Sequence, residues 1–216
     1  MDGTRNVTTS GRIYDPMRPL TSDFCIEDIA HTLSLACRWQ GRVRCHYSIA
    51  QHSTDVAMRV NEKMSSGTTP MVGDQVRTVV RALLHDSPEA YTVDIPAPLK
   101  PLLRVLCLPF SKGLSVSWSD MESSLEDAIL RGLRLGTLCG PMPQAVKDAD
   151  RFMALQEARD LFDDPARGHI LDLMQMTEEE KVELAGCKPL VPLTADQARR
   201  QFLNYFGAWA PYCMER

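Results

Sequence analysis

The sequence has no apolar run long enough to cross a membrane and no apolar N-terminal core of the secretory type. Its longest apolar stretches, Val79–Val80 and Ala82–Leu84, are soon interrupted by charge, whereas a membrane span needs about 18 or more apolar residues. The seven cysteines are scattered without a Cys-x-x-Cys pair, which argues against a disulfide framework. These absences predict a cytoplasmic protein that does not act at a membrane.

Positive charge is not in excess either. The 216 residues carry a formal net charge of −4, whereas a broad nucleic-acid surface is usually basic, so a nucleic-acid polymer is not an expected partner. A small anionic ligand needs only a local positive site and stays compatible with this balance. Hydrophobic residues make up 44% and charged residues 24%, which is typical of a folded domain with a substantial core.

Helical spacing dominates, and neither an internal repeat nor convincing strand alternation is visible, so the predicted fold class is all-α. We expect an N-terminal segment over 1–25, a core over 26–165 and a C-terminal helical extension packed on it over 166–216. The predicted helices run from Ile26 to Trp39, from Ser48 to about Met64, from Gln75 to about Tyr91, from Ser119 to near Gly136 and from Gln144 to Phe162, with two shorter ones starting at Thr177 and Thr194.

One histidine is followed directly by an aspartate, at His85-Asp86, late in the most apolar predicted helix. Burying this pair is costly unless each group finds a partner, which a metal ion can supply. Glu89 lies four residues after His85 and three after Asp86, so in a helix it projects to the same side. Asp94 follows just before Pro96. Four ionisable groups in ten positions beside an apolar stretch indicate a site.

Two further candidate ligands lie on other predicted helices. His52 shares a stripe with Val56 and Val60, and Asp150 lies among core-type residues. Taken alone, His52 is more typical of a satisfied core histidine, and Asp150 of a surface acid. The order of His52, His85-Asp86 and Asp150 along the chain changes that interpretation.

This order resembles the H…HD…D signature of the HD superfamily of metal-dependent phosphohydrolases. The match extends to a run typical of bacterial 5′-deoxynucleotidases and of phage deoxynucleoside triphosphohydrolases. It covers about residues 26 to 160, and its parts are Arg38-Trp39, Gln51-His52-Ser53, His85-Asp86-x-x-Glu89, Asp94-Ile95-Pro96-x-Pro98-Leu99-Lys100 and Ala149-Asp150. The resemblance implies a compact HD-domain helical bundle with a C-terminal extension.

The resemblance also implies roles. His52, His85, Asp86 and Asp150 would hold one metal ion, and Glu89 and Asp94 would handle the water and the proton. For the substrate it implies that Arg38 holds phosphate or sugar, Trp39 packs near the nucleoside, and Lys100 meets phosphate. The segment between Arg38 and His52 is about one residue shorter than in the bacterial enzyme, so Arg42 and Arg44 stay open as alternatives to Arg38.

The residue types fit this chemistry independently. Two imidazoles and two carboxylates favour manganese, iron, cobalt, nickel or zinc over magnesium, although magnesium could accompany a triphosphate. The expected activity is cleavage of phosphate ester or anhydride bonds of (deoxy)nucleotides by a metal-activated water. The alternatives are a cyclic-nucleotide or (p)ppGpp phosphodiesterase and a non-catalytic nucleotide-sensing module.

The resemblance to dimeric relatives, with apolar residues in the tail, predicts a homodimer. The same residues could instead cap the core of a monomer. They are Phe202, Tyr205, Phe206 and Trp209.

Overall fold

A computed structural model describes residues 5–65, 72–96, 99, 103 and 117–215 of the chain. The described part is mostly helical, which confirms the predicted all-α class. The helices are α1 (Ile26–Leu35), α2 (Ile49–Ser65), α3 (Val72–Leu84), α4 (Trp118–Gly132), α5 (Gln144–Leu161), α6 (Ala166–Met174), α7 (Glu178–Gly186) and α8 (Ala195–Trp209). Short 3-10 turns lie at Thr21–Asp23, Arg38–Gly41, Ser87–Ala90, Gly136–Leu138 and Ala210–Tyr212.

Helix α2 lies at the centre and packs against α1, α3, α5 and α8. Its apolar stripe, with Val56 and Val60, is buried. The first turn of the helix is buried as well, although it carries polar residues, including His52. The fold therefore encloses the end of α2 that carries a candidate metal ligand.

The C-terminal helix α8 contributes to the same core. Phe202 is fully buried and Phe206 nearly so, in one cluster with side chains of α1, α2 and α3. Tyr205 and Trp209 pack against that cluster from its edge. The tail aromatics therefore cap the core within one chain, while the predicted homodimer stays a prediction.

Helix α5 has two buried faces. Val146, Ala149 and Met153 join the main core, whereas Phe152 and Leu155 form a second cluster with Leu184 of α7. The short helices α6 and α7 therefore cover a second side of α5, and Glu183 of α7 also pairs with Arg59 and Lys63 of α2. Helix α6 has no counterpart among the helices expected from the sequence.

Local capping signals place several helix starts correctly. Thr177 and Thr194 each accept a hydrogen bond from the backbone three residues on, in complete capping boxes. The start predicted at Ser119 is wrong by two residues, because Ser117 caps α4 with Asp120 as its reciprocal partner. Helix α1 ends at Leu35, not at Trp39.

The N-terminal segment forms a small antiparallel hairpin, which sequence alternation did not indicate. Its strands, β1 (Asn6–Val7) and β2 (Ile13–Tyr14), are two residues each, too short to show a period of two. Among the described residues, none of the helices combines the length and apolar character that crossing a bilayer requires.

Candidate metal centre

The candidate ligands come from three separate helices. His52 lies in the first turn of α2, His85 and Asp86 directly follow the last residue of α3, and Asp150 lies in the second turn of α5. Because α2 packs against both α3 and α5, these chain segments meet at one end of the bundle.

The expected helix from Gln75 to about Tyr91 is wrong at both ends, since α3 already begins at Val72. Helix α3 stops at Leu84, and a 3-10 turn over Ser87–Ala90 follows the His85-Asp86 pair. Pro88 explains the stop, because proline has no N–H to donate and its ring disfavours the α conformation of the preceding residue. Since side chains three apart eclipse one another in a 3-10 turn, Glu89 still projects to the side of Asp86.

The ligand atoms of His52, His85 and Asp150 all lie within 4.8 Å of one another, so this group could hold a metal ion. Asp150 Oδ1 is 3.1 Å from His52 Nε2 and 3.8 Å from His85 Nε2. Asp86 Oδ2 lies 3.2 Å from His85 Nε2 and 3.6 Å from His52 Nε2. The structure thus groups three of the four predicted ligands, and the fourth, Asp86, lies beside both imidazoles.

Each imidazole has a further contact at its Nδ1 atom. His52 Nδ1 lies 2.5 Å from Glu157 Oε1, and His85 Nδ1 lies 2.7 Å from the carbonyl oxygen of Ala82. Contacts of this kind are typical of metal-binding histidines, because they fix the tautomer and ring orientation. They leave both Nε2 atoms turned toward Asp86 and Asp150.

The ligand set has unsatisfied polar atoms of the kind that a cation would satisfy. Nε2 of His52, Nε2 of His85 and Oδ2 of Asp86 are buried and make no hydrogen bond to any described residue. Leaving such atoms unpaired in an interior is costly. Two nitrogen and two oxygen donors suit a divalent transition metal, so these residues fit the implied ion.

Electrostatics inside the cluster favour charged forms. Burial lowers the pKa of His52, as does Arg38, but Glu157 and Asp150 outweigh both and raise it. Burial also opposes protonation of His85, yet Asp86 and Asp150 raise its pKa well above the ordinary value. A cation at these Nε2 atoms would have to displace the imidazole protons, because a histidine binds a metal in its neutral form.

The two aspartates show the converse shift. Burial by itself raises the pKa of Asp86 and of Asp150, but the neighbouring histidines, with Arg38 beside Asp86, hold both values well below the usual range. Both carboxylates are therefore ionised at neutral pH, as metal ligands must be.

Arg38 reaches into the same cluster. Its guanidinium lies 3.6 Å from Asp86 Oδ2 and 4.0 Å from Asp150 Oδ1, with 15% of the side chain exposed. The alternative Arg44 instead contacts Asp163 and the backbone of Asp160. Of these two arginines, Arg38 is therefore the one that lies beside the candidate ligands.

Trp39 follows in an unusual backbone turn. Trp39 and Gln40 have φ values of 57° and 48°, in the left-handed region, which is rare for residues other than glycine and clusters at functional sites. The Trp39 indole N–H donates to Glu157 Oε2 at 2.8 Å, and its ring meets Phe162 edge-on at 5.2 Å. The indole is therefore held in one orientation by Glu157 and Phe162.

The predicted acid–base residues flank the cluster on different sides. Glu89 lines a cavity of about 200 Å³ together with His85 and Asp86, whose far wall is formed by α4. Asp94 accepts from the Gln40 side chain, through its backbone oxygen at 3.3 Å and its carboxylate at 3.5 Å. Lys100, the predicted phosphate contact, lies outside the described residues.

Sequence reasoning missed Glu157, whose side chain is fully buried. It lies two helical turns after Asp150 on α5, between the buried residues Leu155 and Leu161. A glutamate on an apolar helix face is a visible signal, because buried carboxylates are rare unless paired. That signal could have indicated a second acid beside the predicted ligands.

No protein-family model matches the sequence. The chain is 32% identical over 201 residues to the uncharacterized protein YfdR of Escherichia coli K12, which covers 93% of this chain and 92% of that protein. It is 33% identical over 157 residues to an uncharacterized protein of Rhodobacter capsulatus, covering 70% of each chain.

Proposed function

The chain belongs to the same family as YfdR of Escherichia coli, and we propose that it is a metal-dependent phosphohydrolase of the HD type acting on (deoxy)nucleotides. One observation carries the proposal. Two buried histidines with unsatisfied Nε2 atoms face two ionised aspartates, and an arginine lies beside them. A cation held among these imidazoles and carboxylates, with the Arg38 guanidinium beside it, would attract a phosphate.

His52, His85, Asp86 and Asp150 would hold one divalent ion, most suitably manganese, iron, cobalt, nickel or zinc. Magnesium is an alternative where a triphosphate supplies further oxygen ligands. When bound, such an ion polarises a phosphoryl oxygen and makes water acidic enough to attack phosphorus near neutral pH.

The remaining roles fall to side chains around this set. The Arg38 guanidinium offers a planar fork of N–H donors to phosphate oxygens, and its burial strengthens that interaction. Glu89 lines the cavity beside His85 and Asp86, where it can accept a proton from the attacking water. Asp94, next to the Arg38–Gly41 turn, can hold or pass on that proton.

Substrate selection would involve Arg38 and Trp39 together. A fixed indole next to a phosphate-binding arginine gives a flat apolar surface for a sugar or base, and close packing near C2′ is what separates deoxyribose from ribose. A pocket that only tolerates an added hydroxyl discriminates by roughly 10²-fold at best. We therefore propose a preference for deoxynucleotides, with purine triphosphates favoured, that does not exclude ribonucleotides.

The test is a nucleotide panel offered to the protein loaded with Mn²⁺ or Co²⁺, with phosphate, pyrophosphate and triphosphate resolved as products. Deoxy and ribo forms of mono- and triphosphates, cyclic nucleotides and (p)ppGpp are compared by kcat/KM. We expect turnover of deoxynucleotides that Asp86→Asn abolishes. Asp127→Asn, which removes a carboxylate paired with Arg131 on α4, is the matched control and should leave turnover intact.

Other outcomes identify the alternatives. Turnover confined to cyclic nucleotides or (p)ppGpp would replace the proposal with a phosphodiesterase. Binding of metal and nucleotide without release of any product would replace it with a sensing module.

A further inference from the structure

Glu157 contacts two parts of the molecule that have different roles in the proposed function. One is His52, a candidate metal ligand, and the other is the turn that carries Arg38 and Trp39. His52 is 105 residues from Glu157 in sequence, and the turn is more than 110 residues away. All three partners contact the same carboxylate.

The two oxygens of the Glu157 carboxylate contact different residues. Oε1 lies 2.5 Å from Nδ1 of His52. Oε2 accepts from the Trp39 indole N–H at 2.8 Å and faces Nε of Arg38 at 3.4 Å. Since the Glu157 side chain has no exposed surface, water cannot take over any of these contacts.

Trp39 has a specific need for this partner. Its backbone φ of 57° lies in the left-handed region, and such a conformation persists only where the surroundings over-determine it. The Glu157 contact, the Phe162 contact and the bond from the Arg38 backbone N–H to the Tyr47 carbonyl, 2.8 Å long, hold the turn in place. Among these, only the Glu157 contact also reaches a metal ligand.

We infer that Glu157 is a positioning residue that couples the metal centre to the substrate-binding turn. One oxygen orients His52 so that Nε2 faces the aspartates, and the other holds the Trp39 indole and the Arg38 guanidinium at the same centre. The inference rests on the proposed function and deepens it, because it makes the order of the substrate pocket depend on the residue that orients a metal ligand.

The chemistry of the side chain makes this coupling testable. A carboxylate accepts hydrogen bonds at both oxygens, whereas a glutamine amide accepts at one end and donates at the other. In Glu157→Gln, either His52 or Trp39 must therefore face an N–H where it now meets an acceptor. The substitution keeps the volume of the side chain, but it cannot satisfy both His52 and Trp39 while Nε2 of His52 stays unprotonated, because an Nδ1 that accepts a hydrogen bond leaves the proton on Nε2.

The experiment compares wild type, Glu157→Gln and Asp160→Asn. Asp160 is the matched control, because it lies three residues further along α5 and is also engaged, by Arg159 and by the Leu190 backbone N–H, but does not belong to the predicted site. The readouts are Co²⁺ affinity by competition with a chelating dye, the visible spectrum of bound Co²⁺, and KM and kcat for a deoxynucleoside triphosphate at saturating metal.

For Glu157→Gln we expect about 10- to 100-fold weaker Co²⁺ binding, the range typical when the partner of a metal-bound histidine is lost, together with an altered Co²⁺ spectrum. At saturating metal, KM should rise by a larger factor than kcat falls. Asp160→Asn should change the unfolding temperature and none of these readouts. Trp39→Phe, which removes the indole donor together with part of the ring surface, should raise KM and leave Co²⁺ affinity unchanged.

Wild-type Co²⁺ affinity and KM in a folded Glu157→Gln protein would overturn the inference, as would equal effects from Asp160→Asn. If Glu157→Gln does not fold, Glu157→Asp replaces it, since a side chain one methylene shorter cannot reach both His52 and Trp39. An unchanged Co²⁺ affinity and KM in Glu157→Asp would overturn the inference as well. Co²⁺ binding by wild type without nucleotide turnover would refute the hydrolase, while the Co²⁺ affinities would still decide the role of Glu157.

Discussion

Metal binding should raise the free energy of unfolding by an amount that can be calculated from the metal concentration and Kd. The candidate ligand His52 lies on α2, His85 directly after α3 and Asp150 on α5, so they meet only when these three helices are packed. An unfolded chain cannot present them together, so the ion binds the native state alone. Under that condition the stabilisation is RT ln(1 + [L]/Kd), where [L] is the free metal concentration.

At a metal concentration 100 times Kd, this expression gives about 2.7 kcal/mol. For a chain of this size, 1 kcal/mol shifts the unfolding temperature by roughly 2–4 °C. Added Mn²⁺ or Co²⁺ should therefore raise the midpoint of thermal unfolding by about 5–11 °C. Differential scanning fluorimetry over a metal titration, with a chelator-treated sample as reference, measures the shift.

Asp150→Asn is the informative perturbation. The Asp150 side chain is 42% exposed, so the variant should fold, yet it loses a charged oxygen 3.1 Å from His52 Nε2. If affinity falls on the order of 100-fold, the same metal concentration gives about 0.4 kcal/mol and a shift of only ~1–2 °C. Asp148→Asn, on the exposed side of α5 and bonded to Gln144, should keep the full shift.

Equal shifts in wild type and Asp150→Asn would refute the reasoning, because the stabilising ion would then bind elsewhere. No shift in wild type with any of the divalent metals would refute the metal centre itself. A shift lost equally in both variants would indicate a general charge effect.

Three further predictions concern the acid–base residues, a buried aspartate and the core. Asp86→Ala should lose both metal, measured by elemental analysis, and turnover, whereas Glu89→Ala should keep metal and lose on the order of 10²-fold or more in kcat; retained activity in Glu89→Ala would move the role of base elsewhere. Burial raises the pKa of Asp55 from 3.8 to about 6, although the hydrogen bond from Tyr47 opposes this shift. The folded protein therefore binds this proton more tightly than the unfolded chain does. The resulting stabilisation is complete below pH 3.8 and is lost as pH rises through about 6. Denaturant titrations should therefore show Asp55→Asn gaining up to about 3 kcal/mol over wild type at pH 8 and little at pH 4, and a pH-independent difference would contradict the shift. Phe202→Ala should cost about 3–5 kcal/mol in the same assay, because Phe202 is fully buried; a loss under 1 kcal/mol would show that α8 is not part of the core.

The sequence by itself determined the helical class and several helix starts. The capping boxes at Thr177 and Thr194 act within one turn of backbone, so residues three apart suffice to predict them. Ser48 likewise accepts from the Gln51 backbone N–H. The Gln51 side chain, however, bonds to the backbone of Val191 and Leu193, a long-range contact that no local pattern indicates.

At the C-terminal end of α3, two local sequence patterns predict different things. The apolar run around Val79 favours a helix that continues, whereas Pro88 favours a stop. The chain stops at Leu84, and His85-Asp86 lies in the turn beyond it. The prediction that Glu89 projects toward Asp86 survives because a spacing of three places residues on one side of a 3-10 turn as well as of an α-helix.

The order of His52, His85-Asp86 and Asp150 could be read from the sequence, and so could the expectation that they share one ion. The partner of the His85 imidazole is the Ala82 carbonyl three residues earlier, a local contact at the end of α3. Only the tertiary structure decided that Glu157 contacts the imidazole of His52. The physical reason is that a buried carboxylate takes its partners from whichever helices the core brings against it, and here those partners lie more than 100 residues away. Spacing along one helix can show that Glu157 is buried, but only the packing of α5 against α2 determines that it meets His52 and Trp39.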